Sequence, residues 1–510
     1  MSTMSRLWPE GIDKMHIHTV VVIGSGFGGQ CAAKALLARG IDDLVILERR
    51  PFLGGTWKQN RYPGAAVDVQ SPLYSIASEP FEWSRMFAER EELERYTQHV
   101  LESNGLPQRT HADTDVQKIQ WVGDHWLITT SRGNYAAQFV VNASGPLSTP
   151  VVPPFPGRDS FRGKQFHTND WDTEYDHSGK RVAIVGSGAS AAQIVPTIQP
   201  DVETLHVFQR TPHWVMPRHD YEFTPLQRKL MMIEPIRRLV RAGLYWSLET
   251  RILAFKYWPA ALKAVGQRSA VKHLAAQVPD ADLRAKLTPD YILGCKRIIV
   301  SNKLYPALAQ PNVTLHDKGD GISEITETGI LTTSGERVDV DLLVWSTGYD
   351  ATDGVISYPV IGRDGTVLSD VWSPYPRAYL GTTIPKFPNL FVVTGPNTGI
   401  GHTSAIFLIE AQMEYIWRAV ESVRSVGASA IEVTESAERV YTDKIHHEME
   451  GTVWKIGGCN SWYQSKSGHV VAMFPGFSFT FRRWAKRFKP QDHQLHHSST
   501  EAITKDEISA

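Results

Sequence analysis

Two glycine-rich segments constrain the fold of this chain more than any other feature. Each lies between a run of β-branched residues and an Ala-rich pattern of helical period: TVVVIGSGFGGQCAAKALLARG from Thr19 and KRVAIVGSGASAAQIVPTI from Lys180. A second buried strand comes after each of them, LVILERR after the first and TLHVFQR after the second. A strand, a helix and another strand in this order form a parallel, right-handed unit. The sequence therefore predicts an α/β fold with two Rossmann-like dinucleotide-binding domains.

The first glycine loop carries Gly24, Gly26 and Gly29, and Glu48 ends the next strand 19 residues after Gly29. Glycines at these positions let a pyrophosphate approach the N-terminus of a helix, and a carboxylate at this distance accepts hydrogen bonds from ribose hydroxyls. A carboxylate would also repel a 2′-phosphate. The first unit therefore predicts an FAD or NAD site.

The second glycine loop differs from the first in the charge at the end of the next strand. That strand ends in Arg210 and Thr211, with no acid, and the loop itself comprises Gly186, Ser187, Gly188, Ala189, Ser190 and Ala191. A guanidinium presents a planar fork to a phosphate dianion, which predicts NADP here; a solvated surface arginine is the alternative. One acidic and one basic site together indicate a flavoprotein that NADPH reduces.

The order of these signals indicates that the two nucleotide-binding folds are interleaved in sequence. Residues 221–290 are rich in Leu, Arg, Ala and aromatics at helical spacing, which predicts a helical insertion in the NADP domain that covers a domain face. A basic amphipathic helix lying on a membrane is the alternative. The predicted parts are 1–152 (FAD domain, first part), 153–220 (NADP domain, first part), 221–290 (insertion), 291–345 (NADP domain, second part), 346–488 (FAD domain, second part) and 489–510 (polar, disordered tail).

Composition excludes several other classes of function. The 53 basic and 54 acidic residues give a net charge of −1, which argues against nucleic acid as a partner. No apolar run of about eighteen residues and no signal-like start occur, so we expect no integral membrane segment and a cytoplasmic location. Cys31, Cys295 and Cys459 lie far apart in sequence, and we interpret them as buried hydrophobic side chains outside any disulfide or metal site.

Two further motifs carry a resemblance to a known family. GGTWKQNRYPGAAVD, residues 54–68, and FRGKQFHTNDWD, residues 161–172, resemble the two motifs of type I Baeyer–Villiger monooxygenases. The similarity extends from about residue 19 to residue 488, because FQRTP, GCKR, STGYDA, GPNTGIGH and SWY come in the order of that family. GGTWKQNRYPGAAVD contains no cysteine, which excludes a disulfide reductase.

The resemblance implies a reaction. In this family NADPH reduces FAD, oxygen adds to give a peroxyflavin, and the peroxide attacks a ketone carbonyl to yield an ester or lactone; many members also oxidise sulfides. Arg297 matches the active-site arginine of the family, and Asp68 matches the carboxylate that orients it. A structural Arg–Asp pair at a domain boundary is the alternative. The insertion is then expected to shape a substrate tunnel.

The resemblance also assigns binding residues beyond the glycine loops. Those implied for FAD are Gly55, Thr56, Trp57, Asp68, Tyr74 and Val116, with core aromatics as the alternative for Trp57 and Tyr74. Those implied for NADP are Gln193, Lys296, Arg297 and Trp462, which lies in a loop expected to close. The linker motif comprises Phe161, Gly163, His167, Trp171 and Asp172, with His167 as an orienting residue rather than a proton carrier. His402 either faces the substrate or caps the next helix.

Two other functions share the glycine motifs. One is an N- or S-hydroxylating flavin-containing monooxygenase, and the other is a flavoprotein that binds NADPH without oxygenating a substrate. Asp68, Arg297 and the Trp-Asp ending of the linker motif favour a ketone substrate. The predicted partners are therefore a small-molecule ketone or sulfide and O₂, and no metal site is expected.

Overall fold

The computed structural model describes residues 15–352 and 354–497. Its strands are β1 Ile17–Ile23, β2 Leu44–Leu47, β3 Thr110–His111, β4 Val116–Trp121, β5 Trp126–Thr130, β6 Gly133–Asn142, β7 Lys164–His167, β8 Arg181–Val185, β9 Thr204–Phe208, β10 Val215–Met216, β11 Ile299–Val300, β12 Val313–His316, β13 Ile322–Ile325, β14 Gly329–Thr332, β15 Arg337–Asp339, β16 Leu342–Trp345, β17 Val360–Ile361, β18 Leu390–Val392, β19 Ala430–Val433 and β20 His493–His496.

The helices are α1 Phe27–Leu37, α2 Thr56–Gln59, α3 Arg90–Ser103, α4 Ala189–Ile198, α5 Pro225–Met232, α6 Glu234–Glu249, α7 Pro259–Ala261, α8 Gln267–Gln277, α9 Ala281–Leu287, α10 Leu304–Leu308, α11 Leu368–Val371, α12 Ala405–Val426, α13 Glu435–Met449, α14 Val453–Ile456 and α15 Ser478–Lys486. Single π-helical turns lie at Leu253–Tyr257 and Leu262–Gly266. Within the described residues, every helix is too short or too polar to cross a lipid bilayer.

The larger sheet has the strand order β17-β4-β5-β6-β1-β2-β3, with β18 also paired to β6. The central strand β1 runs parallel to both β2 and β6. Val20, Val21 and Val22 in β1 are fully buried, because helices or strands cover both faces of the sheet at this point. This is why the sequence of β1 is a continuous apolar run rather than an alternating one.

The second sheet has the order β12-β9-β8-β16-β7, and all of its pairs are parallel. Its strands lie between residues 164 and 345, whereas the larger sheet takes its strands from residues 17–142 and 360–392. The prediction of two Rossmann-like units interleaved in sequence is therefore confirmed.

Helices α5 to α9 form the segment between β10 and β11. Its first helix begins with a capping box, in which the Thr224 hydroxyl accepts from the Gln227 backbone N–H and the Gln227 side chain accepts from the Thr224 N–H. Leu274 and Leu287 pack into the core of the second sheet. Tyr245 and its neighbours on α6 instead pack beside Leu73, which lies after the GGTW segment. The helical segment therefore contacts both halves of the molecule.

The C-terminal part of the chain differs from the predicted polar tail. His493–His496 forms β20, which pairs antiparallel with β19. The Tyr379 hydroxyl donates to Asp492 at 2.7 Å, so the approach to β20 is also held in place. A polar strand is stabilised here by a partner about 60 residues earlier in sequence, and local composition carries no sign of such a pairing. Residues 498–510 lie outside the described residues.

The cysteine prediction was wrong for two of the three residues. Cys295 and Cys459 form a disulfide, with Cα atoms 6.1 Å apart, across a separation of 164 residues. Cys31 is free and buried, and burial raises the pKa of its thiol. The two bonded cysteines meet only because the fold brings the GCKR segment against the C-terminal region, which no spacing rule could indicate.

Candidate active site and nucleotide-binding loops

Arg297 and Asp68 form a bidentate ion pair where the two halves of the molecule meet. The Arg297 Nε donates to Asp68 Oδ2 at 2.7 Å, and Nη2 donates to Oδ1. Attraction by Asp68 raises the pKa of Arg297 above its ordinary value against the opposing effect of burial. Protein atoms surround the Arg297 side chain closely enough for burial to affect its pKa, yet 41% of the side-chain surface stays accessible. The Asp68 carboxylate thus holds the Arg297 guanidinium in place, and part of the Arg297 side chain remains accessible.

Aromatic side chains surround this pair. Trp57 Nε1 donates to the Tyr74 hydroxyl at 3.3 Å, and the two rings meet edge to face. Burial raises the pKa of Tyr74 to about 12 and that of Tyr463 to about 12, with Arg297 acting against this rise in both cases. Both phenols therefore stay neutral beside the charged pair. Tyr463 is absent from the predicted site residues, although its place beside Trp462 in SWY could have indicated it.

The backbone around the first glycine loop is packed so closely that Gly24 and Gly29 leave no room for a Cβ atom. Gly24 has φ of +101°, and a Cβ there would meet the Ala143 carbonyl oxygen at 2.6 Å. A Cβ on Gly29 would lie 1.9 Å from the Gly24 carbonyl oxygen. The start of α1 therefore lies directly against the end of β1, in the arrangement that places helix N–H groups around a pyrophosphate.

The carboxylate of Glu48 is fixed at the end of β2. Its Oε2 accepts from the Ser25 N–H at 3.0 Å and from the Ser25 hydroxyl at 2.6 Å, and its Oε1 accepts from the Arg50 N–H. Glu48 is buried, with 7% of its surface exposed. The predicted ribose-binding acid therefore lies beside the glycine loop, as the spacing required.

The GGTW segment, residues 54–57, packs against the first glycine loop. A Cβ on Gly55 would meet Gly26 Cα at 2.6 Å, so Gly55 and Gly26 are in direct backbone contact. Gly26 caps α1 without any side-chain hydrogen bond, and Gly55 does the same for α2, which begins at Thr56. Two helix N-termini thus meet, and within the described residues no side chain caps either of them, which fits an anionic ligand such as a pyrophosphate. Val116 is buried at the start of β4.

The second glycine loop repeats this construction at the end of β8. Gly186 has φ of +120°, and a Cβ there would meet the Ser346 carbonyl oxygen at 2.1 Å. Gly188 caps α4 without a side-chain hydrogen bond, and a Cβ on it would meet no atom within 4 Å. The Ser187 hydroxyl donates to the Thr211 carbonyl at 2.9 Å, so this loop is tied to the QRTP segment. Ala189, Ser190 and Ala191 form the first turn of α4.

Two cations lie beside this second loop. Burial lowers the pKa of Lys296, and the neighbouring charge of Arg210 lowers it further. Arg210 is exposed, and the Lys296 ammonium lies over the Tyr291 ring, 5.2 Å from its centroid. Burial, and then Lys296, lower the pKa of His213 to about 4, so this histidine adds no charge at neutral pH. Lys296 and Arg210 together form a positive region suited to a phosphate dianion.

The Gln193 side chain makes its hydrogen bonds to the segment that precedes Asp68. Its Oε1 accepts from the Tyr62 hydroxyl at 3.0 Å, and its Nε2 donates to the Ala66 carbonyl at 2.8 Å. Gly64 contacts the same helix so closely that a Cβ would meet Thr197 Oγ1 at 2.3 Å. The side chain of Gln193 therefore joins α4 to the segment that ends in Asp68.

The FRGKQFHTNDWD motif fixes the linker on the second sheet. A Cβ on Gly163 would meet the Phe161 ring at 2.4 Å, which explains this glycine by the packing of its neighbour. His167 ends β7, opposite Trp345, and its Nδ1 accepts from the Asn169 N–H at 3.0 Å. Burial lowers the pKa of His167, with a hydrogen bond to the Gly348 backbone acting in the opposite direction. The imidazole is thus neutral and caps the 3₁₀ turn Thr168–Asp170 at its N-terminus.

The end of the motif also contacts the other half of the molecule. Trp171 is buried in the core of the second sheet, and Asp172 pairs with Lys164 at 2.6 Å. Just before Trp171, the Asn169 carbonyl and the Asp170 carboxylate both accept from Gln59 Nε2, at 2.7 and 2.9 Å. The motif therefore links β7 to α2, whose N-terminus lies against the first glycine loop.

The disulfide attaches the C-terminal region to the arginine segment. Cys295 directly precedes Lys296, and Cys459 lies three residues before Trp462. The Trp462 side chain is 42% exposed, while Tyr463 beside it is buried. The segment around Trp462 is therefore covalently bound next to the ion pair.

His402 is fully buried rather than exposed to a pocket. Its Nε2 lies 3.3 Å from Glu249 Oε2, and both side chains are almost wholly inaccessible. Glu249 also accepts from the Ser478 N–H at 2.5 Å and from the Ser478 hydroxyl at 2.7 Å. No side chain caps α12, which begins after Ser404, so His402 does not act as its cap. This cluster joins α6, the GIGH segment and α15.

Comparison with known proteins agrees with this geometry. A family model described as pyridine nucleotide-disulphide oxidoreductase matches residues 21–231. A Baeyer–Villiger monooxygenase of Streptomyces coelicolor is 42% identical over 489 residues, covering 95% of this chain and 94% of its own. A Baeyer–Villiger monooxygenase of Pseudomonas aeruginosa is 41% identical over 482 residues, covering 93% and 91%.

Solved structures resemble the chain over nearly the same range. A closed crystal structure of cyclohexanone monooxygenase superposes with a TM-score of 0.85 at 27% identity, covering 95% of this chain and 100% of that chain. An oxidised steroid monooxygenase bound to NADP superposes with a TM-score of 0.84 at 28% identity, covering 94% and 100%.

Proposed function

The chain belongs to the Baeyer–Villiger monooxygenase family, and from this premise we propose that it uses NADPH and O₂, with bound FAD, to convert a ketone into an ester or lactone. The observation that carries the proposal is the bidentate Arg297–Asp68 pair. It lies where the segments from both glycine loops converge. The Arg297 side chain keeps 41% of its surface accessible, so a ligand can approach the pair.

The first loop would hold FAD. Gly24, Gly26 and Gly29 with the N-terminus of α1 would bind its pyrophosphate, and Glu48 would accept from its ribose. The two uncapped helix starts support this fit, because they offer N–H donors that no protein side chain uses. FAD supplies the chemistry of oxygen activation when bound. The aromatic pair Trp57 and Tyr74 would contact its ring system.

The second loop would hold NADPH. Gly186, Gly188 and the first turn of α4 would bind its pyrophosphate, while Arg210 and Lys296 would bind the 2′-phosphate. Thr211, whose carbonyl is fixed by Ser187, would place its hydroxyl beside that phosphate. The closeness of Arg210 to Lys296, whose pKa burial and then Arg210 lower while Asp290 acts in the opposite direction, supports this assignment, because like charges placed together are stabilised by a shared anion.

Arg297 would provide a permanent positive charge beside the reacting ketone. Its guanidinium stays protonated at every accessible pH, and the negative charge that develops on the ketone oxygen would be neutralised by it. Asp68 would hold the plane of the fork and leave the remaining N–H groups free to donate to substrate. The neutral phenols of Tyr74 and Tyr463 would keep water away without adding a competing charge.

The linker motif would set the angle between the two halves. His167 is neutral and bonded as a cap, which supports an orienting role rather than proton transfer. We assign residues 1–152 and 346–488 to the FAD domain and 153–220 and 291–345 to the NADP domain. The insertion, 221–290, would shape the substrate tunnel. A cytoplasmic location, where NADPH is regenerated, is part of the same proposal.

The rival function is oxygenation of a nitrogen or sulfur atom, and a substrate panel separates the two. The FAD-loaded enzyme is incubated with NADPH and air together with a cyclic ketone, an aryl-alkyl ketone, a thioether or a tertiary amine. We expect ester or lactone from at least one ketone, with sulfoxide as an accepted side product and no N-oxide. N-oxide formation without any ester would replace the proposal by the rival.

A further inference from the structure

More than half of the exposed large hydrophobic side chains in the described part of the chain lie within residues 221–271. On α5 and the turn after it, Leu226, Leu230 and Ile233 recur at helical spacing and are 67%, 36% and 49% exposed. On α6, Leu239 and Trp246 lie on the outer face and are 75% and 55% exposed. Single exposed apolar residues need no explanation, but a cluster on consecutive helices does.

The contacts that hold α6 in the described part of the chain come mainly from its inner face. Tyr245 stacks on Phe407, and its hydroxyl lies 2.9 Å from Ser478 Oγ. Arg241 donates to Ser75 from both terminal nitrogens. The helix is therefore held firmly by one side. Leu239 and Trp246 lie away from that side and stay largely exposed.

Helix α15 extends the apolar surface and adds charge. Trp246 contacts Phe479, with ring centroids 5.8 Å apart, and Phe479 is 39% exposed. Arg482, Arg483 and Lys486 come three, four and seven residues after Phe479, so all lie on the same exposed face of this helix. We call the combined outer faces of α5, α6 and α15 the outer helical surface.

The charge of this region has one sign. Residues 225–272 contain ten Lys and Arg, of which Arg241 faces inward and Lys256 is paired with Glu448, but only Glu234 and Glu249 as acids. Glu249 is buried, and Glu234 is paired with Arg238 at 2.5 Å. The whole chain has a net charge of −1, so this basic region is not a consequence of overall composition. Apolar side chains flanked by Lys and Arg on a helix are typical of a surface that lies in the interface of an anionic bilayer.

We propose that the outer helical surface docks the enzyme on anionic lipid bilayers. The apolar side chains, above all Leu239, Trp246 and Phe479, insert between headgroups, and Arg483 and Lys486 contact lipid phosphates. A second copy of the chain fits less well, because a two-fold contact would place each basic cluster against its own copy. Aliphatic side chains such as Leu226 and Leu239 offer nothing to a nucleic acid.

The test is co-sedimentation of the FAD-loaded protein with vesicles. We use vesicles of phosphatidylcholine alone and of phosphatidylcholine with phosphatidylglycerol added, both at low and high salt. We expect binding to the anionic vesicles only, and release by salt because screening weakens the attraction. Absence of binding to anionic vesicles, or equal binding to both kinds, overturns the proposal.

Two double variants locate the surface. Leu239→Glu with Trp246→Glu removes apolar contacts, and Arg483→Glu with Lys486→Glu removes phosphate contacts; each is expected to weaken partitioning at least about tenfold. Val440→Glu is the matched control for the first, because Val440 is 68% exposed on α13. Arg424→Glu near the end of α12 is the control for the second.

The variants also distinguish a bilayer from a second copy. All four proteins should keep the wild-type circular dichroism, thermal midpoint and sedimentation coefficient, since the substituted side chains are exposed. Vesicle binding lost in both double variants and kept in both controls supports the proposal. A double variant that dissociates an oligomer without any change in vesicle binding contradicts it and assigns the surface to a second copy.

Discussion

At the scale of single residues, the function depends on a planar cation held by a planar anion. The Asp68 carboxylate engages Nε and one Nη of Arg297, which leaves the remaining N–H donors in a fixed direction. A lysine at this position would carry the same charge but could not be oriented by a two-point contact. Orientation, and not charge alone, is therefore what the pair provides.

Replacing Arg297 separates its role from that of the nucleotide sites. We expect Arg297→Lys to lower the rate of ester formation about a hundredfold or more, because a positioned donor for the ketone oxygen is lost. Reduction of the flavin by NADPH should continue in the same variant. Product yield by chromatography and flavin bleaching by absorbance measure the two effects. Arg132→Ala, an exposed arginine paired with Asp113, is the control, and unchanged ester formation in Arg297→Lys would refute the assignment.

Arg210 should determine which reduced nucleotide the enzyme prefers. In Arg210→Ala we expect the KM for NADPH to rise about tenfold to a hundredfold, as for the loss of a charge-assisted hydrogen bond, with the KM for NADH nearly unchanged. Steady-state kinetics with both nucleotides provide the measurement. An equal rise for NADPH and NADH would show that Arg210 does not read the 2′-phosphate.

Most of the local site was predictable because its signals are local. Gly24, Gly26, Gly29 and Glu48 lie within one strand–helix–strand unit, so their spacing fixes their relative positions. Gln193 illustrates the limit of this reasoning. The resemblance implied contact with NADP, which stays a prediction, whereas the contacts of Gln193 with Tyr62 and Ala66 involve another unit and are invisible to local spacing.

At the scale of elements, α6 is held by a buried acid. Glu249 accepts two hydrogen bonds from Ser478 at the start of α15 and lies 3.3 Å from His402. Helical spacing predicted the helix but gave no indication that one of its acids faces inward. A buried carboxylate is costly unless its hydrogen bonds are satisfied, so this contact makes three distant segments depend on one another.

Removing that carboxylate should therefore lower stability sharply. We expect Glu249→Ala to reduce the free energy of unfolding by about 3 kcal/mol, because the Ser478 N–H and hydroxyl would be left buried without their acceptor. Glu234→Ala, on the same helix but exposed and paired only with Arg238, should cost less than about 0.5 kcal/mol. Denaturant unfolding of both variants provides the comparison, and equal effects would contradict the account.

The disulfide is a second link between elements, and it makes stability depend on redox state. We expect Cys459→Ser to lower the free energy of unfolding by about 2–4 kcal/mol under oxidising conditions and to have little effect in reductant. Cys31→Ser serves as control, since its effect should not depend on reductant. Thiol titration of the denatured, unreduced protein should find only Cys31. Detection of all three thiols would show that the bond does not form.

At the scale of the whole molecule, a mixed sheet and an all-parallel sheet are interleaved in sequence, and three sets of side-chain contacts connect them. The FRGKQFHTNDWD linker, the Tyr62–Gln193 contact and the Arg297–Asp68 pair all cross between them. The interleaving was predictable because strand signals of the first unit return after the second. Strand β20 and the disulfide were not predictable from the sequence, because each depends on a partner far away in sequence that only the assembled fold brings near.

The central claim is that the chain inserts an oxygen atom next to a ketone carbonyl, and isotope labelling tests it most directly. The FAD-loaded enzyme is supplied with NADPH, ¹⁸O₂ and a ketone that it accepts, and the product is analysed by mass spectrometry. We expect an ester or lactone that carries one ¹⁸O atom, formed in proportion to the NADPH consumed. Consumption of NADPH with labelled hydrogen peroxide as the only product, for every ketone tried, would contradict it.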